Sequence, residues 1–380
     1  MASHRALLFD GPGLPLEIRQ RPTPPVGPNQ VLIRIQACGV NPVDWKTADL
    51  GWCVTQWPAT MGCDGAGVIV AVGSDVTRVR VGDRVFMNGW MDNPDTCTFQ
   101  EYALMEDSMV GKIPDFMPIQ EASGISMASF TAFVGLFHET GAEVPLPPNA
   151  RAHVPEDSFL NYNHMDTGAS ENYQWPPDLS KFGWCITVLG GSSSVGQFMI
   201  QYARIAGFRK ILTTASPSNH AYLRTLGATH CFDRTATASD IAAIASPTTF
   251  QASAVGTNQP QSTEYTPLVF DAIGSTQTAT MGVDILSCLT PVPMSRILVS
   301  PSVEDIPTVV EDVDYRGIYA LVGALWDLSL PYFIGMEEWL AAGEIVPNRI
   351  QVVGTVEQAH EALAMSRRGV SGVKLVMTMP

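Results

Sequence analysis

The segment Trp184 to Ser216, WCITVLGGSSSVGQFMIQYARIAGFRKILTTAS, constrains its own folding more tightly than any other stretch of the chain. An apolar run from Trp184 to Leu189 ends in Gly190 and Gly191. An amphipathic stretch follows from Ser194, and a second apolar run, Lys210 to Ala215, completes the segment. A strand, a glycine turn and a helix in that order form a site for the pyrophosphate of a dinucleotide. The N–H groups at the helix start carry partial positive charge, and glycines let phosphate approach the backbone. The turn reads Gly190-Gly191-Ser192-Ser193-Ser194-Val195-Gly196 and departs from a strict GxGxxG string. The strand before it and the helix after it carry the assignment.

The tip of the second strand selects the dinucleotide. NAD sites place an acid there to hold the ribose diol, but this chain has Ala215-Ser216-Pro217-Ser218-Asn219. An acid would repel a 2′-phosphate, whereas Ser216, Ser218 and Asn219 donate hydrogen bonds to phosphate oxygens. Arg224 or Arg234 supplies positive charge. NADPH is the expected cofactor.

At 380 residues and 46% hydrophobic content the chain can bury a large core, and its length suggests two domains. A net charge of -15 argues against a nucleic-acid partner or an anionic membrane, since either needs a basic face. The longest apolar stretch, Tyr319 to Gly335, is broken by Asp327 and Pro331, and the first ten residues lack a signal peptide's apolar core. A cytoplasmic protein is expected. The seven cysteines, at 38, 53, 63, 97, 185, 231 and 288, include no CxxC pair, and the several that sit in apolar runs read as buried free thiols. Pro145 to Lys181 and Ser246 to Thr266 are polar and read as long surface loops.

Periodicity divides the chain in three. Up to about Ala128, short strands alternate with glycine turns, as at Val31 to Ala37, Gly67 to Val72 and Arg84 to Met87. From Ser129 to Leu325 strands and helices alternate, which predicts a doubly wound parallel sheet whose last strand runs from Gly317 to Val322. The tail is expected to fold back onto the first part, with an apolar helix at Met336 to Ala342 and a final strand at Lys374 to Met379.

Several strings resemble, in order, the landmarks of the medium-chain dehydrogenase/reductases. They are Ala37-Cys38-Gly39-Val40-Asn41-Pro42-Val43-Asp44-Trp45-Lys46, Gly62-Cys63-Asp64-Gly65-Ala66-Gly67, Val81-Gly82-Asp83-Arg84-Val85, Phe130-Thr131-Ala132, the glycine turn, and Val370-Ser371-Gly372-Val373-Lys374. The resemblance covers essentially the whole chain. It implies an α/β protein with a GroES-like β domain (1–128 and 326–380) and a Rossmann domain (129–325), with the active site in the cleft between them.

Zinc-dependent members hold their metal with Cys, His and Cys, where this chain has Asn41, Cys63 and Met127. One soft ligand of three remains, so no metal is expected. Without a Lewis acid, conjugate reduction fits better than alcohol oxidation. Hydride goes to the β-carbon of an activated alkene, and the enolate charge falls on a carbonyl oxygen that donors can hold.

Within the zinc-free branch the chain looks most like the fungal trans-acting enoyl reductases of polyketide synthases. That implies a small-molecule or carrier-bound enoyl substrate and a synthase partner, with a monomer favoured over a homodimer. A quinone or small-enone reductase of the zeta-crystallin kind, or a non-catalytic NADPH-binding protein, are the alternatives. By resemblance, Lys46 and Thr131 serve catalysis and Asp44 helps hold the nicotinamide end. Ser193, Ser194 and Val195 line the pyrophosphate beside the glycines, Ser216, Ser218 and Asn219 the adenosine phosphate, and Val370 and Ser371 the nicotinamide. Relatives carry Tyr in a Phe-Asp-Tyr step where this chain reads Phe232-Asp233-Arg234, so the adenosine end is expected to differ.

Overall fold

In the computed structural model the described residues are 2–155, 175–246, 265–289, 295–301, 310, 312–320 and 324–380. Most of the two predicted polar loops, at 156–174 and 247–264, lies outside them. The chain divides into two compact units. One takes the described residues of Met1–Ala128, Ala152–Asn161 and Leu321–Pro380, and the other those of Ser129–Arg151 and Tyr162–Ala320.

The first unit is mainly β. A hairpin of β1 (Ser3–Leu8) and β2 (Glu17–Pro22) precedes a sheet built from β3 (Gln30–Gly39), β4 (Asp64–Val72), β5 (Arg84–Asn88), β6 (Tyr102–Glu106) and β7 (Val110–Lys112). Two strands from the end of the chain, Ile350–Thr355 and Lys374–Thr378, join its β3 edge. The reason is visible in β3, where alternate residues Val31, Ile33 and Ile35 are buried and form one apolar face. The closing strand Lys374–Thr378 runs antiparallel to β3, with Val376 opposite Gly39. A helix at Trp326–Ala342 packs Phe333 against Phe86, with ring centroids 5.6 Å apart.

The second unit holds a parallel sheet. In chain order its strands are β8 (Cys185–Leu189), β9 (Lys210–Thr214), β10 (His230–Phe232), β11 (Leu268–Asp271), β12 (Arg296–Ser300) and β13 (Val313–Gly317). Among the described residues they lie in the order β10-β9-β8-β11-β12-β13, the doubly wound Rossmann arrangement. The order reverses between β8 and β11, so the glycine turn leaves the sheet at its topological switch point. All five residues of β8 are buried, as expected of a central parallel strand covered on both faces. The helix Ser194–Ala206 ends on Gly207 at φ 94°, a conformation that suits glycine at a helix C-terminus.

Two elements differ from expectation. The last strand of this sheet is Val313–Gly317 and not 317–322. As an edge strand it needs only one neighbour, so the polar run Asp314-Tyr315-Arg316 serves, and the described residues that follow, 318–320, lie outside the strand. The helix expected from Met336 begins at Trp326 and runs through Pro331. Among the described residues, no helix is long and apolar enough to cross a membrane.

Candidate functional site

In the second unit the glycine turn is a cradle that side chains would fill. Gly190 has φ +73°, and a Cβ there would lie 2.4 Å from Cγ1 of Ile273. A Cβ on Gly191 would fall 2.0 Å from Oγ1 of Thr213, and one on Gly196 would fall 2.4 Å from the carbonyl oxygen of Gly190. The last contact is backbone on backbone, so Gly196 lets the helix start close beneath the turn. Ser193 caps that helix by accepting the Gly196 N–H at 3.0 Å, and Ser194 and Val195 open its first turn. These residues fit a dinucleotide pyrophosphate, which takes backbone N–H donors and the positive end of a helix.

At the tip of β9, Ser216 caps the helix Pro217–Leu226 by position, yet its hydroxyl makes no capping bond to that helix. Ser218 is exposed and Asn219 buried. Phe232 pairs with Thr214, which brings Asp233 and Arg234 to the same edge as Ala215 and Ser216. Asp233 turns back on its own loop and accepts the N–H and hydroxyl of Thr235, bonds that hold its carboxyl below the usual range. Arg234 and Arg224 are exposed. Thr131, on the helix Ser126–Phe137, is buried.

In the first unit the helix Pro42–Leu50 carries Asp44 and Lys46. Asp44 is fully buried and closes its own turn, its Oδ2 accepting the Asn41 N–H at 2.6 Å. Burial pushes its carboxyl up to about 7, against the Asn41 hydrogen bond and the Lys374 charge, which lower it. Lys46 places its ammonium 4.4 Å from the ring centroid of Trp52, a cation–π contact. Val370 and Ser371 are exposed in the loop leading to the closing strand.

A cluster to which the sequence reading gave no role lies beside these residues. Asp64 accepts Lys374 Nζ at 2.7 Å and Asn41 Nδ2 at 2.9 Å on one oxygen. On the other it accepts Ser126 Oγ at 2.8 Å and the Met127 N–H at 2.6 Å. Lys374 also donates to Asn41 Oδ1 at 2.6 Å. Both charged groups lay within the quoted landmark strings. The available signal was a lone charge in each of two apolar, glycine-rich stretches, since a buried charge needs a partner.

This cluster bears on zinc. The amide of Asn41 is committed to Asp64 and Lys374, the Cys63 thiol is raised well above its ordinary range by burial, and Met127 contributes its backbone to Asp64. A lysine ammonium bonded to Asn41 would repel a dication, so this donor set does not suit the metal.

Comparison with known proteins agrees with the geometry. Residues 27–127 match the alcohol dehydrogenase GroES-like domain family. A dehydrogenase of Aspergillus niger is 28% identical over the full length of both chains. A trans-enoyl reductase of Aspergillus terreus is 34% identical over 61% of this chain and 69% of its own. An alcohol dehydrogenase superfamily protein of Novosphingobium aromaticivorans shares the fold at a TM-score of 0.73 and 22% identity, covering 99% of this chain and 100% of the other. The first unit is thus GroES-like, the second carries the nicotinamide-dinucleotide fold, and the protein is an oxidoreductase. With both sheets and a likeness to a trans-enoyl reductase in place, the chain belongs to the medium-chain dehydrogenase/reductase family.

Proposed function

We propose that this protein is an NADPH-dependent enoyl reductase that acts in trans on a polyketide intermediate presented by a partner synthase, as a cytoplasmic monomer. The observation that carries the reading is the 34% identity to a trans-enoyl reductase. The site chemistry supports it in two ways. The β9 tip offers the Ser216 hydroxyl with Ser218, Asn219 and Arg234, donors and positive charge of the kind a 2′-phosphate takes. The polar cluster around Asn41 holds a lysine where the zinc enzymes need metal ligands, so the reaction is one that proceeds without a Lewis acid.

A bound nicotinamide supplies the hydride that goes to the β-carbon of an activated alkene. A proton from solvent or a nearby donor completes the reduction at the α-carbon, and the chain's own groups bind and orient. Gly190, Gly191 and Gly196, with Ser193, Ser194 and Val195, bind the pyrophosphate, and Val370 and Ser371 bear on the nicotinamide end. Lys46 donates a hydrogen bond to the carbonyl oxygen on which the enolate charge collects, and Thr131 positions substrate or nicotinamide.

The test follows oxidation of NADPH and of NADH, with chelator present, against α,β-unsaturated pantetheine thioesters and simple quinones. Thioester turnover with NADPH preferred is the expected result. Faster turnover of quinones, or a preference for NADH, would overturn the reading.

A further inference from the structure

We infer that the buried Lys374–Asp64 pair, with Asn41 and Ser126, forms a positioning hub that sets the geometry of the nicotinamide end of the site. This rests on the reading that Lys46 and Ser371 work there.

The hub joins four separate pieces of chain: the start of the helix Pro42–Leu50, the first residue of β4, the start of the helix Ser126–Phe137 and the first residue of the closing strand. Three of these pieces lead directly into site residues. Asn41 precedes Asp44 and Lys46, Ser126 precedes Thr131 on its helix, and Lys374 follows Val370 and Ser371.

The bonding of the carboxylate is dense. A carboxylate offers about four acceptor positions, and Asp64 has four polar partners within 2.6 to 2.9 Å, the single proton of Ser126 Oγ being shared between it and the Met87 carbonyl at 2.5 Å. Lys374 and Asp64 expose only 3% and 0% of their side chains. The surroundings are shaped to admit the lysine. A Cβ on Gly39 would lie 3.0 Å from Cε of Lys374, and one on Gly124 would lie 2.8 Å from its Cγ. Two bare backbone positions thus flank the lysine stem. A buried ion pair of this kind is a poor source of stability, because desolvating both charges offsets their attraction. What it does well is fix register, since each donor must meet a given oxygen at a given angle. The hub therefore acts on the loop 370–373 and the helix start at 41–46 by holding their ends.

The experiment compares the full-length protein with two variants, the double apolar replacement Lys374→Met with Asp64→Leu, and the milder Ser126→Ala. Three readouts are taken: amide hydrogen exchange without cofactor, emission of bound NADPH, and kcat with KM. The expectation is that exchange in 370–373 and 41–46 rises at least about tenfold in the double variant while its thermal midpoint stays near the parent's. The emission of bound NADPH changes, and kcat falls more than KM rises. Ser126→Ala shows the same pattern more weakly, and stands alone if the double variant does not fold. A folded variant with parental exchange, emission and kcat would overturn the inference. If the parent turns over no thioester, the enoyl-reductase reading fails, whereas the exchange and emission readouts still judge the hub.

Discussion

Replacing Asp44 by Asn should change how stability depends on pH, and the structure sets the size of the change. The carboxyl is fully buried, with Oδ2 bonded to the Asn41 N–H and Oδ1 without a partner among the described residues. Burial raises it from 3.8 to about 7, a difference of about three pKa units or about 4 kcal/mol. Below about pH 4 the group is protonated both folded and unfolded, and it costs nothing. Between about pH 4 and 7 the unfolded chain releases its proton while the folded chain keeps it, so stability falls as pH rises. Above about pH 7 the folded protein carries the whole penalty. Asn keeps the acceptor for Asn41 and puts an unpaired amide where Oδ1 was, a cost of about 1–3 kcal/mol that does not vary with pH. Relative to the parent, Asp44→Asn should therefore gain up to about 4 kcal/mol between about pH 4 and pH 8. Urea unfolding followed by tryptophan fluorescence across that range measures it, and the difference at each pH cancels the other carboxylates. A difference between the two proteins that is flat with pH would refute the reasoning, because it would mean that burial does not raise this carboxyl.

Two further outcomes test the site. Gly196→Ala puts a methyl 2.4 Å from the Gly190 carbonyl oxygen and 2.8 Å from the Gly191 Cα, backbone atoms that cannot swing aside. The substitution should destabilise the second unit by about 1–3 kcal/mol and weaken NADPH binding at least about tenfold, read by thermal unfolding and fluorescence titration. Normal NADPH affinity in a stable Gly196→Ala protein would count against the pyrophosphate cradle. Lys46→Ala should lower kcat by about ten- to a hundredfold while NADPH affinity stays within about twofold, and unchanged kcat and KM in steady-state kinetics would remove Lys46 from the reaction.

Some elements were easy to read in the sequence because their physics is local. The strand Cys185–Leu189 is buried on both faces and so is an unbroken apolar run, and the turn after it announces itself by glycines at positions where a Cβ would have nowhere to go. The helix Ser194–Ala206 shows its cap at Ser193 and its stop at Gly207. Reading failed where a neighbour distant in sequence decides. The edge strand Val313–Gly317 is polar because it answers to β12 alone. The helix Trp326–Ala342 survives Pro331, whose missing N–H leaves one carbonyl without its usual donor, and the hydroxyl of Ser329 bonds back to Leu325 nearby. The hub was invisible for the same reason, since Lys374 and Asn41 are 333 residues apart and meet only because the closing strand pairs with β3.

The two units therefore hold their chemistry by different means, and this decides what each tolerates. The glycine turn is made of backbone, so its requirement is negative: no Cβ at Gly190, Gly191 or Gly196. The hub in the first unit is made of side chains, and each member satisfies another. Removing Lys374 alone leaves the Asp64 carboxylate buried with one donor fewer, and removing Asp64 alone leaves an ammonium whose hydrogen-bond partner among the described residues is the Asn41 carbonyl. Either single loss is more damaging than losing both together, because the penalty belongs to the charge left behind. The double variant should on that argument be more stable than either single variant, although it lacks every bond of the pair.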